Sequence, residues 1–451
     1  MTDRPVGGRP VLVVPHGYRS VPLLQLAAAA RPVCDLVWLV RADDPEVTAT
    51  GRLLRRLGTV IDVSGMEGAA VAAAVAAHRP DGVVAFRDDD LVPMADLAER
   101  LGLAFHPTPV AERLADKVAQ RRALHDGGLP VPGVWELPAE RDPAATAALA
   151  RRLAYPVVLK PRRGSGSRHT FVLRDPAELV GTIRWLDGEP DGAEPMVIEE
   201  YLPSRPGAER CRFADYVSVE TLAVGGRLHH VAVTGRLHQA PSLRETGYFI
   251  PSDLGAGEQA AVVSVATHAL DALGVRDGCA HTEVKLTPDG PRVIEVNGRL
   301  GGGVADMLAM AAGVDLLALC LRAALGEPVN VASPAPCARV GFRLFLQPPP
   351  SARRVLAIDG LDALATLPGV ATVAVHLAPG DPVDPRQGTR AFVLAVVGTA
   401  GSPEEVAAVD RRMYEVAGVT YEHQDEQEHG HEGGTVRWSG GVAAEPAEAV
   451  A

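Results

Sequence analysis

Apolar residues at the start of this chain follow two rhythms. Val11-Leu12-Val13-Val14, Leu36–Val40 and Gly82–Phe86 are short contiguous runs, as buried strands require. Between them, Val21–Ala30 and Gly68–His78 are Ala-rich stretches of helical length. Alternation of strand and helix over residues 1–107 predicts a Rossmann-like parallel α/β domain. Its first turn, Pro15-His16-Gly17-Tyr18, is placed to contact a ligand. No GxGxxG follows, so a dinucleotide site is not expected.

Pro107-Thr108-Pro109 ends this rhythm, and one helix is expected from Val110 to Asp126, closed by Gly127-Gly128. Beyond Leu129-Pro130-Val131-Pro132, strands are predicted at Tyr155–Lys160 and Met196–Leu202. Tyr216–Val224 and Arg227–Gly235 form a hairpin about Gly225-Gly226. A helix near Glu258–Leu273 precedes a second hairpin, His281–Leu286 and Arg292–Arg299, joined by Thr287-Pro288-Asp289-Gly290. Val304–Leu325 is apolar but carries Asp306, Asp315 and Arg322, so it reads as a buried helix and not a membrane span. Residues 328–421, with strands near Ala338–Leu346, Val370–Leu377 and Ala391–Val397, read as a small α+β unit. Residues 422–451 are polar, acidic and Gly-rich, and are expected to be a disordered tail with solvated His423, His429 and His431.

Composition narrows the class. The 451 residues are 47% hydrophobic and 22% charged, as in soluble multidomain proteins. A net charge of −12 argues against a general nucleic-acid binder, while leaving room for local basic pockets. Cys34, Cys211, Cys279, Cys320 and Cys337 show no CxxC spacing, so isolated reduced thiols are expected, with neither zinc nor disulfides. With no secretory h-region in view, a cytoplasmic location is expected.

The second hairpin carries the chemistry. Side-chain alternation puts Glu295, Asn297 and Arg299 on one face, and His281, Glu283 and Lys285 likewise. Glu283 and Glu295 are equidistant from Asp289, so folding there sets the carboxylates opposite each other. Like charges directly opposite destabilise a sheet. A divalent cation such as Mg²⁺ would remove that repulsion with oxygen ligands; the alternative is a solvated acidic face. Lys160 ends a buried strand and is followed by Gly164-Ser165-Gly166-Ser167. Backbone N–H groups, two hydroxyls and a lysine suit phosphate; no Walker A sequence is present, and the loop alone reads first as a flexible turn, a reading that its pairing with a hairpin suited to Mg²⁺ reverses. Glu199-Glu200-Tyr201-Leu202 ends another apolar strand, where backbone groups would be free for the edge of a base.

In this order, these elements resemble the ATP-grasp superfamily. The matching residues are Ala115-Asp116-Lys117, Leu129–Pro132, Val157–Pro161 with its Gly/Ser loop, Ile198–Leu202, Glu283, and Glu295-Val296-Asn297-Gly298-Arg299. Within it, His281-Thr282-Glu283, Arg299–Gly303 and Thr246–Leu254 look most like carboxylate–amine ligases, especially L-amino acid ligases that make dipeptides. Biotin carboxylase has a similar acidic hairpin.

The resemblance implies an ATP-grasp fold at 108–327 (lid 129–202, large part 203–327) after the N-terminal domain 1–107 and before the unit 328–421. It implies ATP and Mg²⁺, with Mn²⁺ as a substitute. Lys117 and Lys160 would contact phosphates, and Ser165, Gly166 and Ser167 would form a lid loop. Glu199, Glu200, Tyr201 and Leu202 would form the adenine hinge, and Asp215 would hold the ribose. Glu283, Glu295 and Asn297 would hold the metal. Arg299, acting with Lys160 in catalysis, would stabilise the acyl phosphate and the tetrahedral intermediate. Glu245, Tyr248, His281, Gly302 and Gly303 would shape the substrate site, Tyr248 replacing a His expected there. The implied partners are a small carboxylate and an amine, with homodimers common in such families. The competing readings are a silent ATP-binding module and an enzyme acting on bicarbonate.

Overall fold

The computed structural model describes residues 8–17, 21–189, 192, 194–423 and 436–438. Val11–Pro15 (β1), Asp35–Val40 (β2), Thr59–Asp62 (β3) and Gly82–Val83 (β4) form a parallel sheet in the order β3-β2-β1-β4. Leu12, Val13 and Val14 are wholly buried, which is why β1 reads as a continuous apolar run. The run expected as a strand to Phe86 pairs only at its start, then continues into the turn Asp88–Asp90. Asp88 thereby emerges near the carboxyl end of the sheet, where open α/β sheets bind ligands. Tyr18 of the first turn lies outside the described residues.

The helix expected over Val110–Asp126 is two helices, Thr108–Ala115 and Lys117–Asp126. Asp116 breaks it: its backbone is extended (φ −124°, ψ 112°), and its carboxylate accepts from the Val118 and Ala119 N–H groups. An Asp N-cap satisfies donors that a helix start otherwise leaves unpaired. The break places Lys117, buried, at the head of the second helix.

Val134–Leu137 (β5), Val157–Pro161 (β6), Phe171–Leu173 (β7) and Met196–Glu200 (β8) form an antiparallel sheet in the order β5-β8-β6-β7. Val157, Leu159, Met196 and Ile198 pack on one face against Ala150, Leu179, Ile183 and Leu186 of two helices. Alternation turns Val158, Lys160 and Glu199 to the other face.

The remaining strands are Tyr216–Val224 (β9), Arg227–Arg236 (β10), Gly247–Ile250 (β11), Gly278–Thr287 (β12), Gly290–Asn297 (β13), Val340–Leu346 (β14), Ala352–Asp359 (β15), Val370–Val375 (β16), Leu394–Ala400 (β17), Gly418–His423 (β18) and Val436–Trp438 (β19). One sheet runs β13-β12-β9-β10-β11-β14-β17-β16. It is continuous across residues 327/328, because β11 pairs with β14, Gly247 opposite Leu344. A smaller sheet, β15-β18-β19, backs it. The tail expectation fails at two places: 422–423 complete β18, and 436–438 pair with it. Val-Arg-Trp includes two good strand formers and meets an open edge. His423 lies in β18, its Nδ1 2.8 Å from Ser351 Oγ; His429 and His431 lie outside the described residues.

Val304–Leu325 is likewise two helices, Val304–Ala312 and Leu316–Ala324, bent by 115°, and Asp315 caps the second. Among the described residues, no single helix is long and apolar enough to cross a membrane. Cys279 and Cys320 are not isolated, since their thiols meet at 2.9 Å.

Candidate functional site

The acidic hairpin turns at Pro288-Asp289, with Thr287 opposite Gly290. A two-residue turn alone would set Glu283 opposite Ile294. A bulge between Val293 and Glu295 absorbs Ile294, and Glu283 and Glu295 become direct partners. The pairing is the expected one, reached by a different pivot. The bulged residue is also used, since the Ile294 carbonyl accepts from Arg121 and its side chain lines the cleft beside both glutamates.

Cations already relieve part of the repulsion. Lys117 Nζ lies 3.2 Å from Glu295 Oε1, and His281 Nε2 lies 3.3 Å from Glu283 Oε1. Burial would raise the Glu283 carboxyl, but the hydrogen bond and charge of His281, with Arg236 and Arg299, hold it at about 2. His281 is gripped from behind by Glu220, Nδ1 to Oε1 2.8 Å. Burial would lower the imidazole, but the Glu220 charge and the hydrogen bonds that the ring donates to both carboxylates raise it to about 9. His281 therefore sits beneath Glu283 as its support. Two carboxylates and the Asn297 amide oxygen are hard donors that fit Mg²⁺ when substrate phosphates complete the shell. Among the described residues, no cluster of three or more His, Cys, Asp or Glu side chains could hold a metal by itself.

The cleft lies between the small and large sheets, with about 1150 Å³ of empty space including its mouth. Lys117, Lys160, Ser165, Gly166, Ser167, Glu199, Glu200, Tyr201, Leu202, Glu245, Glu283 and Glu295 all line it. Gly164 and Gly166 adopt φ of 115° and 71°, which lets the loop turn back over the opening. Lys117 Nζ donates to Gly164 O at 2.8 Å, so one lysine touches both the loop and the acidic hairpin.

Two expectations need correction here. Glu199 is a strut beneath the cleft: Arg121 grips its carboxylate at 2.9 and 3.0 Å, and Lys160 at 2.7 Å. Burial would raise this carboxyl, but the Arg121 and Lys160 charges hold it at about 2. The hinge amides expected to be free are engaged at two positions, Glu200 N–H by Gly133 O (2.9 Å) and Tyr201 N–H by Pro156 O (3.4 Å). Asp215 is the second correction. It immediately precedes β9, beside Lys285 of β12, and its Oδ1 lies 2.6 Å from Lys285 Nζ. Lys285 lines the cleft in its place.

Arg299 and the other residues expected at a substrate site gather beyond the hairpin. Arg299 Nε lies 3.0 Å from Asp88 Oδ2, its Nη1 donates to Leu300 O (3.1 Å), and its Nη2 donates to Asn297 Oδ1 (3.3 Å). Burial would raise the Asp88 carboxyl, but the Arg299 charge holds it below the usual range. Arg236, buried, pairs with Glu245 and donates to Ser218 Oγ at 2.8 Å. Its guanidinium lies 5.0 Å from the Tyr248 ring and 5.6 Å from the Tyr216 ring. Tyr248 donates to Gly302 O. Gly303 has φ 73°, and a Cβ there would fall 2.8 Å from Arg343 Cδ.

Asp88, Arg121, Glu220 and Arg236 were not anticipated. Asp88 had a signal, the Asp88-Asp89-Asp90 run at the end of an apolar strand. Glu220 was visible as a charge within an apolar strand, which is costly unless paired, whereas Arg236 falls one residue past the expected strand end at Gly235.

Residues 153–307 match the ATP-grasp domain family model. The chain is 31% identical over 276 residues to carnosine synthase 1 of Gallus gallus, covering 57% of this chain and 29% of that protein. It is 25% identical over 224 residues to alanine–anticapsin ligase of Bacillus subtilis, 47% of each. The chain thus spans half or less of these curated relatives. Among solved structures, an L-amino acid ligase from Bacillus licheniformis superposes with a TM-score of 0.72 at 22% identity, over 92% of this chain and 100% of that one.

Proposed function

We propose that this chain, a member of the ATP-grasp superfamily, is a ligase that joins a small carboxylate, an amino acid or a close analogue, to an amine at the expense of ATP. The observation that carries the reading is the juxtaposition of Glu283 and Glu295 at the floor of a cleft walled by Lys117 and the Gly/Ser loop. The two ligase relatives and the amino acid ligase fold support the substrate class.

In this reading the substrate carboxylate attacks the γ-phosphorus, ADP leaves, and an acyl phosphate forms. The amine then attacks the acyl carbon, loses a proton, and expels phosphate. Lys117 and Lys160 bind phosphate oxygens, and the N–H groups of Ser165–Ser167 cover them. Glu283, Glu295 and Asn297 would hold Mg²⁺, which when bound supplies charge neutralisation for phosphoryl transfer. Arg299, oriented by Asp88, faces the oxyanion of the tetrahedral intermediate. Glu245, braced by Arg236, meets an amino group. The closed loop excludes water, which would otherwise hydrolyse the acyl phosphate.

Hydroxylamine trapping tests this. With ATP and Mg²⁺, one class of amino acid carboxylate should give a hydroxamate. Phosphate release that depends on bicarbonate, with no hydroxamate from any carboxylate, would contradict it and favour the bicarbonate reading.

A further inference from the structure

The lid loop is held from outside its own subdomain. The segment Asp384–Ala391, just before β17, crosses the Gly/Ser loop. Thr389 N–H donates to Gly166 O at 2.9 Å, and His169 N–H donates to Arg386 O at 3.0 Å. Between these bonds, Gly388 has φ 73° and ψ −145°, a conformation open to glycine alone without strain. A Cβ at Gly388 would lie 2.1 Å from Gly166 O and 2.5 Å from the Ser167 carbonyl carbon. Both are backbone atoms, so the lid loop itself would have to move away. Arg386 secures the far side, 3.1 Å from Glu189 Oε1 and 5.1 Å from the ring of Trp185, on the helix Pro176–Asp187 of the lid.

Thr389 also reaches the substrate side. Its Oγ1 accepts from Glu245 N–H at 3.0 Å. Gln347 Nε2 donates to Thr389 O (2.8 Å) and Glu245 O (2.7 Å), locking the two segments together. Ser167 Oγ donates to Leu243 O at 2.9 Å, so the phosphate loop and the substrate loop meet directly as well.

We propose that Thr389 is a positioning residue that couples closure of the Gly164–Ser167 loop to the placement of Glu245, and that Gly388 provides the clearance for that contact. Its backbone holds the loop over the phosphates while its hydroxyl holds the loop that meets the amino substrate. A lid that closed independently of the substrate loop would activate carboxylates with no amine in place and lose them to water. The coupling rests on the ligase reading; the contact with the lid does not.

Three substitutions in the full chain test it. Thr389→Val removes the acceptor and keeps the volume, Thr389→Ser keeps the acceptor, and Gly388→Ala fills the clearance. Thr389→Val should raise phosphate released per amide formed, and the KM of the amino substrate, by about fivefold, the worth of one hydrogen bond. The KM for ATP should stay near the wild-type value, and Thr389→Ser should restore both quantities. Gly388→Ala should raise the ATP KM and abolish the ATP-induced change in Trp185 fluorescence, read with Trp135 replaced by Phe, in protein that stays folded at a lowered melting temperature, since a positive φ strains any residue with a Cβ. Wild-type coupling in Thr389→Val, or equal losses in the Val and Ser variants, would overturn the positioning role. A wild-type fluorescence response in Gly388→Ala would overturn the lid contact. If wild-type protein makes no amide with any pair tested, the ligase reading fails and with it the coupling, while the fluorescence result still decides the lid contact.

Discussion

The two ends of the cleft are built in opposite ways. The end proposed for the cation draws Glu283, Glu295 and, just behind them, Asn297 from one hairpin, and a single bulge sets their register. The end proposed for the substrate draws Asp88 from the turn after β4, Arg236 from β10, Glu245 from the following loop, Tyr248 from β11 and Thr389 from the segment before β17. A site held in one hairpin can lose a charge without disturbing the fold, because register and turn survive the change. A site gathered from five segments depends on every contact between them. Chemistry and stability should therefore separate cleanly at the first end and mix at the second.

Glu295→Gln should give the largest effect. Turnover should fall below about a thousandth of wild type, the upper range for losing one charge-stabilising contact, with the melting curve unchanged. Normal phosphate release from that variant would remove the metal assignment. Arg299→Ala comes next, and kcat should drop by about 10²–10³ with ATP affinity held. Equal losses in both quantities would make Arg299 a nucleotide ligand only.

Glu199 sharpens the comparison from the side of stability. Its carboxyl is depressed from 4.5 to about 2, so its contribution is present in full above pH 4.5 and is lost as pH falls toward 2. Glu199→Gln leaves Arg121 and Lys160 underpaired, and should cost about 3–5 kcal/mol at pH 7. In urea unfolding, the gap to wild type should narrow below pH 4.5 and close near pH 2; a gap independent of pH would mean that the ion pair is not its source. The smallest effect belongs to Glu220→Gln. Loosening the support behind His281 should weaken apparent Mg²⁺ affinity by about 10–100-fold, seen as a shift in the Mg²⁺ dependence of turnover. An unchanged Mg²⁺ curve would show that Glu283 needs no such backing.

The same contrast explains what could be read from the sequence. Glu283 and Glu295 were legible because one turn fixes both, although the turn needed a bulge that no residue pattern announces. The ion pairs of Glu199 and Asp215 were hidden because their partners are remote: Arg121 lies 78 residues before Glu199, and Lys285 lies 70 after Asp215. Chain alternation says which way a side chain points and not what meets it there. The break at Asp116 was hidden because the apolar spacing continues through it, and only the capping chemistry of Asp marks the stop. The boundary expected at residue 327 is crossed by the sheet, because hydrogen bonding from β11 to β14 joins segments that are remote in sequence. Parallel βαβ rhythm and tight hairpins are local, so the class of the first domain and both hairpins were legible, although β3 and the helix Pro45–Leu57 were not.

The most direct test of the central claim is phosphate release from ATP and Mg²⁺ across a matrix of amino acid pairs, with mass spectrometry of each active well. The account predicts a product at the summed mass of two substrates less one water, formed with phosphate. Confirmed ATP binding with no phosphate release and no condensed product from any pair would contradict it, and would favour a protein that binds nucleotide without turning it over.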